Sequence, residues 1–317
     1  MTVVGLRIAR LLLVALIVSF FTFVLLDASP ADQAVQQAGF GATPEVVDQI
    51  RDDLGLDDGY LVRYGRWLGD VVQGDLGESV VSGRSATSLI RSALPKTIEL
   101  MVLAQIMALG ISIPTAIHAA QRPGGLADRI SSGLAFGFLA LPAFVLGIYL
   151  TFVFAVKWDL LPAVATDIPG LDEDPLENLR QMFLPSLVLA LNLVAVYLRL
   201  LRSDLIDTMQ QDYVLLARAR GYTRRRVLWR HAFRPSSLSL VTAIGLNTAG
   251  LIGGALIVEF LFAIPGMGRL AITSVFSEDY AVVQATVLVL TLGFVLINFV
   301  VDLAYAVIDP RIRHGAR

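Results

Sequence analysis

The sequence predicts an all-α integral membrane protein with six transmembrane helices and both chain ends in the cytoplasm. Of its 317 residues, 56% are hydrophobic and 16% are charged, whereas soluble domains have about 25% charged residues. Six apolar stretches come close to or exceed the roughly 20 residues that a helix needs to cross a bilayer. Arginine is concentrated in the segments on one side of these stretches, which is typical of the cytoplasmic side.

Each apolar stretch is predicted to be a helix, because only a helix bonds all its backbone groups within one lipid-exposed segment. The first stretch follows Arg7 and Arg10 and has some features of a signal peptide. Its apolar run exceeds the usual 7–15 or so residues of a signal core, and we interpret it as an uncleaved anchor. The predicted spans are Ile8–Leu26, Ile98–Ala120, Ser131–Val156, Phe183–Leu201, Leu238–Phe262 and Ala281–Ile308.

The charge of the connecting segments orients the spans. With the N-terminus inside, the inner segments contain 15 Arg and five acidic residues, and the outer segments contain nine basic and 19 acidic residues. Positive residues accumulate on the cytoplasmic side, so both termini are predicted to be cytoplasmic. The inner segments are 1–10, 121–130, 202–237 and 309–317, and the outer segments are 27–97, 157–182 and 263–280.

The chain divides into four parts on this interpretation: residues 1–26 with the first span, an external helical segment 27–97, a five-span core 98–308, and a cytoplasmic tail 309–317. In the external segment, Thr43 and Pro44 are typical of a helix N-cap and first position, and Gly55 is typical of a helix end. A second short helix is predicted over Tyr60–Val72. Residues 172–175 are predicted to form a solvated acidic turn.

The inner loop 202–237 has the pattern of a helix, a break and a second helix. Asp212 is the predicted cap of the first helix, and Gly221 can take the positive φ of a tight turn. Thr223 is the predicted cap of the second helix, which Pro235 is expected to end. A simpler interpretation is a basic loop that holds the topology and contacts anionic lipid.

This loop resembles the coupling loop of permease subunits of bacterial ABC importers, in particular the dipeptide/oligopeptide/nickel permease family. The similarity covers Ala217–Gly221 and continues to Arg230, His231 and Ala232. The glutamate that is usual in such loops is absent, with Leu215 near its place. Further blocks resemble the same family in the same order: 74–77, 94–100, 259–268, 279–280 and 302–311.

The resemblance implies a type I ABC importer permease fold in the bacterial inner (plasma) membrane. It implies half of a translocation pathway for di- or oligopeptides, working by alternating access. The implied partners are a second permease subunit, ABC ATPase subunits or a fused double ATPase, and an extracytoplasmic substrate-binding protein. ATP and Mg²⁺ are expected on the ATPases, and no cofactor is expected in this chain. A nickel chelate or a haem-like ligand is the alternative cargo.

Two sets of candidate residues follow. The first set is implied to couple the permease to the ATPases: Asp212, Tyr213, Ala217, Arg218, Ala219, Arg220, Gly221, Tyr222, Arg230 and His231. The second set has either a pathway role or a structural role, because polar and small residues within spans join helices or line a path: Asn247, Gly250, Gly254, Glu259 and Asp302.

Other functions are disfavoured by what the sequence lacks. It has no G-x-x-x-x-G-K-[ST] phosphate loop, so this chain is not expected to hydrolyse ATP by that route. It has no Cys and three scattered His, so no metal site is expected. No H-E-x-x-H or G-x-S-x-G motif suggests an intramembrane enzyme, and no nucleic-acid partner is expected. An ion-coupled secondary transporter remains an alternative, with Asp302 as its candidate ion site.

Overall fold

The computed structural model describes residues 2–27, 33–39, 41–53 and 55–308, and these residues form helices joined by turns. Residues Glu78 and Ser85 form an isolated antiparallel bridge. The helices are α1 (Thr2–Asp27), α2 (Gln33–Ala38), α3 (Pro44–Asp53), α4 (Tyr60–Val72), α5 (Ala86–Gln121), α6 (Leu126–Ala140), α7 (Ala143–Thr151), α8 (Pro175–Met209), α9 (Asp212–Ala219), α10 (Arg224–Arg226), α11 (Arg234–Leu261), α12 (Met267–Phe276) and α13 (Tyr280–Ile308). Two π-helical segments, Phe152–Lys157 and Val227–Phe233, follow α7 and α10.

Four long helices of the described residues are apolar enough to cross a membrane, and a bent pair of helices makes a fifth candidate. The four are α5, α8, the continuous stretch Val227–Leu261 that contains α11, and α13. The first predicted span corresponds to α1, whose described apolar part, Leu12–Leu26, is shorter than a span. The all-helical, multi-span architecture is therefore confirmed.

The third predicted span is a broken helix and not a single rod. Helices α6 and α7 meet at Leu141 and Pro142 and are bent by 108°. Proline lacks the N–H that a continuing helix would use, and its ring disfavours a helical conformation of the preceding residue. Leu141 accordingly adopts an extended conformation.

Two helices extend well beyond the apolar stretches that predicted them. Helix α5 begins at Ala86, where Ala86 and Ile90 pack with Met267 and Val282 in a small apolar cluster. Helix α8 begins directly after Asp174, whose Oδ1 accepts the Glu177 N–H at 3.0 Å. The predicted acidic turn therefore ends in a helix cap, since an Asp at the N-cap satisfies a free backbone donor.

The chain separates into two compact units. The first contains the described parts of residues 1–97 together with 265–296. In it, α4 packs on α1 through the buried Tyr64, whose hydroxyl lies 2.7 Å from Ser19 Oγ.

The second unit contains residues 98–264 and the described residues from 297 onwards. Its apolar core is centred on α8, which packs against α6, α7 and α11. Helix α7 lies close to α11 at Gly147, where a Cβ would be 2.6 Å from Leu261 Cδ2.

Candidate coupling site

The candidate site is the 212–233 hairpin, which consists of α9, the turn at Gly221 and the helical segment that follows. Gly221 has φ +79°, as predicted for a turn that L side chains disfavour. The predicted cap is displaced by one residue, because Gln211 occupies the N-cap position and makes no side-chain cap. Asp212 lies in the first turn, where a carboxylate is favoured by the helix dipole.

The second arm of the hairpin continues into α11 without a stop. Thr223 caps it as predicted, with its Oγ1 accepting the Arg226 N–H at 3.4 Å. The prediction that Pro235 ends this helix is wrong, because helical structure runs without a break from Arg224 to Leu261. A π-helical turn, in which hydrogen bonds join residues five apart, directly precedes the helix that contains Pro235.

A small apolar core holds the two arms together. Val214, Ala217 and Val227 are buried there, and Met209 packs against them. The resemblance implies a coupling role for Ala217, and only 5% of its surface is exposed. Its small side chain lets the arms approach each other, so it supports the outer surface and does not form it.

The outer surface of the hairpin presents apolar side chains. Tyr213, Leu215 and Leu216 of α9 are each about half exposed, as is Trp229 of the second arm. Leu216 and Trp229 were not among the predicted residues. The helical period indicates their position. When residues 214 and 217 of this eight-residue helix face inwards, the apolar residues 213, 215 and 216 face outwards.

Charged and aromatic residues of the turn and the second arm contact one another. The Tyr222 ring stacks on His231 with 5.6 Å between centroids, and the Arg226 guanidinium carbon lies 4.6 Å from the Tyr222 centroid. Such cation–π contacts hold a ring in place. The remaining predicted coupling residues are exposed: Asp212, Arg218, Ala219, Arg220, Gly221 and Arg230.

Near the C-terminal end of α8, the approach to the hairpin, an ion pair joins α8 to α6. The buried Asp128 carboxylate accepts from Nε and Nη2 of Arg202, the second at 2.7 Å, and from the Gly124 N–H at 2.7 Å. Ser132 Oγ adds a long hydrogen bond of 3.5 Å. Sequence reasoning missed this pair, although Asp128 is the only acidic residue of segment 121–130.

The second candidate set is dispersed along α11 and α13. A Cβ at Gly254 would lie 3.1 Å from Leu189 Cδ2, so this glycine allows close packing on α8, whereas Gly250 faces open space. Asn247 Nδ2 donates to the Ala243 carbonyl oxygen of its own helix at 2.8 Å. Glu259 is fully buried. The side chain of Asp302 lies outside the described residues.

Fold and site together define a class: a multi-pass helical membrane protein in which a hairpin with its own core joins two long apolar helices. The chain belongs to the family of binding-protein-dependent transport system inner membrane components, whose model matches residues 112–314. A second family model, which describes the N-terminal part of binding-protein-dependent transport system membrane components, matches residues 2–101. The family is one of multi-pass inner-membrane permeases and not of catalytic enzymes.

Three curated relatives are similar over nearly the whole chain. A putative peptide transport system permease protein of Brucella abortus is 38% identical, over 97% of this chain and 98% of the relative's chain. The glutathione transport system permease protein GsiC of Pectobacterium atrosepticum is 37% identical with 97% of each chain covered. The oligopeptide transport system permease protein AppB of Bacillus subtilis is 34% identical with 94% of each covered.

A solved structure shares the fold. An inward-facing structure of the MetNI methionine ABC transporter matches with a TM-score of 0.57 and 15% identity, covering 70% of this chain and 96% of that one. At this identity the likeness shows the fold alone.

Proposed function

We propose that this chain is one membrane subunit of an ATP-driven importer of peptides. The observation that supports this most strongly is the similarity over 94–97% of the chain to permeases named for peptide, oligopeptide and glutathione transport. A second permease subunit completes the pathway, and an external binding protein delivers the peptide. This chain performs no chemistry on its cargo.

The proposed topology has six spans with both termini in the cytoplasm. The bent pair α6–α7 counts as one span and α1 as the first. The excess of Arg in the inner segments supports this orientation. The 212–233 hairpin then lies in the cytoplasm, and α2, α3 and α4 lie outside.

The 212–233 hairpin is the proposed contact with the partner ATPases, which bind ATP and Mg²⁺. Its exposed Tyr213, Leu215 and Leu216 fit an apolar groove, because apolar and aromatic side chains with little exposed charge dominate interface centres. The second arm is continuous with α11. A movement of the hairpin therefore passes to a span directly, as alternating access requires.

The test is Leu216→Glu, with Leu61→Glu as the matched control. Both leucines are exposed on short helices, Leu216 by 53% and Leu61 by 75%, but Leu61 lies on α4. We expect Leu216→Glu to lower the amount of co-purified ATPase by about tenfold or more, because a carboxylate would be buried without a partner. Leu61→Glu should leave the amount unchanged.

Transport by the wild-type complex in proteoliposomes identifies the cargo. We expect uptake of di- or oligopeptides that requires ATP and the cognate binding protein. Uptake of a nickel chelate or haem under the same conditions, without peptide uptake, would show that the proposed cargo is wrong. The proposal that the protein belongs to an ATP-driven importer would still hold. A chain that purifies without an ATPase and transports on an ion gradient would contradict the proposal.

A further inference from the structure

A small cavity in the second unit lies between α6 and α8. It has a volume of about 130 Å³, well below the roughly 300–1,000 Å³ of a site that encloses a whole small molecule. The cavity therefore has room for one polar group of a larger ligand. We call it the Arg199 cavity. Its polar lining residues are Ser132, Arg199 and Arg202, and the apolar ones that bear on the argument are Phe136 and Leu139.

Arg199 is the most informative of these residues, because its charge is not compensated within the part of the chain that the structure describes. Its side chain is exposed and makes no hydrogen bond, ion pair or ring contact with the described residues. Arg199 belongs to the last turn of the predicted span Phe183–Leu201, and a charged residue within a span normally has a partner. The missing partner is an anion from outside this chain.

The two other polar residues of the cavity have hydrogen-bonding capacity to spare. Arg202 donates to Asp128 through Nε and Nη2, and its Nη1 has no acceptor among the described residues. Ser132 Oγ makes one long hydrogen bond of 3.5 Å to Asp128 Oδ1, so its hydroxyl can turn to a better acceptor. Because Asp128 neutralises Arg202, the net positive charge of the lining comes from Arg199.

The polar residues of the two helices lie at similar depths in the membrane. Helices α6 and α8 pack against each other with Asp128 opposite Arg202. In the proposed topology α6 enters the membrane from the cytoplasm and α8 returns to it. A helix rises about 1.5 Å per residue, which places Ser132 about 6 Å and Arg199 about 4.5 Å deeper than this ion pair. The cavity therefore collects its donors at one level, near the cytoplasmic end of both helices.

The apolar part of the lining continues towards the middle of the bilayer. Phe136 and Leu139 are about one and two turns beyond Ser132 on the same face of α6, and 62% and 39% of their surfaces are exposed. A ligand with an anionic group in the cavity would therefore lay an apolar portion along α6. An anionic group at the cytoplasmic end and hydrocarbon towards the bilayer centre is the arrangement of an inner-leaflet phospholipid.

We propose that the Arg199 cavity binds the phosphate group of an anionic phospholipid of the inner leaflet. Arg199 and Arg202 Nη1 donate to phosphate oxygens, Ser132 Oγ adds a third donor, and an acyl chain lies along Phe136 and Leu139. Guanidinium groups suit phosphate because they form charge-assisted hydrogen bonds with it. The net positive charge of the lining favours a lipid with net negative charge over a zwitterionic one. This inference rests on the proposed topology and adds a lipid site beside the Asp128–Arg202 pair.

The probe is dioleoyl phosphatidylglycerol, added to the delipidated permease complex in detergent and counted by native mass spectrometry. We expect saturable binding to the wild-type complex. Arg199→Gln should weaken this binding about tenfold, the loss of one hydrogen bond to a charged group. The matched control is Arg122→Gln, because Arg122 is also exposed at the cytoplasmic end of the spans but lies outside the lining. It should change the affinity by less than about twofold, since salt screens a distant exposed charge.

Thermal unfolding separates a lipid-binding role of Arg199 from a structural one. Phosphatidylglycerol should raise the unfolding midpoint of the wild-type and Arg122→Gln complexes, because a ligand of the folded state stabilises it. It should not raise the midpoint of Arg199→Gln. Without lipid the three midpoints should agree, because Arg199 makes no ion pair or hydrogen bond within the described residues.

Phe136→Ala tests the apolar part of the site. It should weaken binding of phosphatidylglycerol about fivefold, as expected when half of a phenylalanine side chain loses its apolar contact. Inorganic phosphate at the same concentration should not displace the lipid, because it lacks this contact. Phosphatidylethanolamine, which has the phosphate but no net charge, should bind at least about fivefold more weakly than phosphatidylglycerol.

Three results would overturn the inference. Equal weakening by Arg199→Gln and Arg122→Gln would mean that basic residues attract lipid without a site. Equal affinity for the two lipids, or displacement by inorganic phosphate, would exclude an anionic lipid as the specific ligand. Loss of a second permease from the Arg199→Gln complex, with lipid binding unchanged, would assign the cavity to a subunit interface. None of these results bears on peptide import, whereas a complex that binds the lipid and imports no peptide contradicts only the proposed function.

Discussion

Helix α8 and the 212–233 hairpin are neighbours in sequence and are stabilised in opposite ways. Within the apolar window of α8, 72% of residues are buried inside the chain itself. The hairpin buries three apolar residues in its own core and leaves Tyr213, Leu215 and Leu216 about half exposed. Helix α8 is thus fixed by extensive packing, whereas the hairpin is held by a small core, a turn and a cap and leaves an apolar surface exposed.

The largest expected effect lies near the end of α8 that leads to the hairpin. Arg202→Met should destabilise the protein by about 3–5 kcal/mol, because the Asp128 carboxylate would stay buried without its cation. Thermal unfolding in detergent measures the loss. Arg199→Met, one turn earlier at an exposed position, is the control and should change stability by less than about 0.5 kcal/mol. Equal effects would show that the ion pair contributes nothing special.

The second prediction tests the packing contrast with one pair of leucines. Leu201 of α8 is fully buried and Leu215 of α9 is 47% exposed. Leu201→Ala should cost about 2–5 kcal/mol through lost burial and a cavity, and Leu215→Ala less than about 0.5 kcal/mol. The measurement is again the unfolding midpoint. A cost at Leu215 similar to that at Leu201 would mean that the hairpin surface is already covered within this chain.

The smallest effect concerns the turn. Gly221→Ala places an L side chain at φ +79° and should cost about 1–2 kcal/mol, confined to the hairpin. Hydrogen exchange should show faster exchange over residues 212–233 and little change in α8. Gly250→Ala is the control: it is helical and faces open space, so the change should stabilise its helix by about 0.5–1 kcal/mol. Loss of protection throughout the unit would contradict a locally fixed hairpin.

Local signals predicted the fold where one segment decides its own structure. Helix α4 was predicted over Tyr60–Val72 and is found there, because a turn signal precedes it and an apolar face runs along it. The turn at Gly221 and the cap at Thr223 were likewise predicted. A break at Pro142 is expected because proline lacks the N–H of a continuing helix, but its angle of 108° could not be predicted from the sequence.

Contacts between segments that are distant in the chain could not be predicted from the sequence. Asp128 and Arg202 are 74 positions apart, and the sequence around either residue does not predict that the other is its partner. Ala217 is buried in the hairpin's own core, which was not anticipated. The roles of the coupling residues themselves remain predictions.

The π-helical turn at Val227–Phe233 sets a constraint on length. Each residue of an α-helix turns the chain by about 100°, and a π turn holds an additional residue. Deleting one residue between Gly221 and Pro235 would therefore rotate the hairpin by about that angle around the axis of α11. Its apolar surface would then face a different direction with every side chain intact. The residue count of this stretch is therefore fixed by the direction in which the hairpin must point.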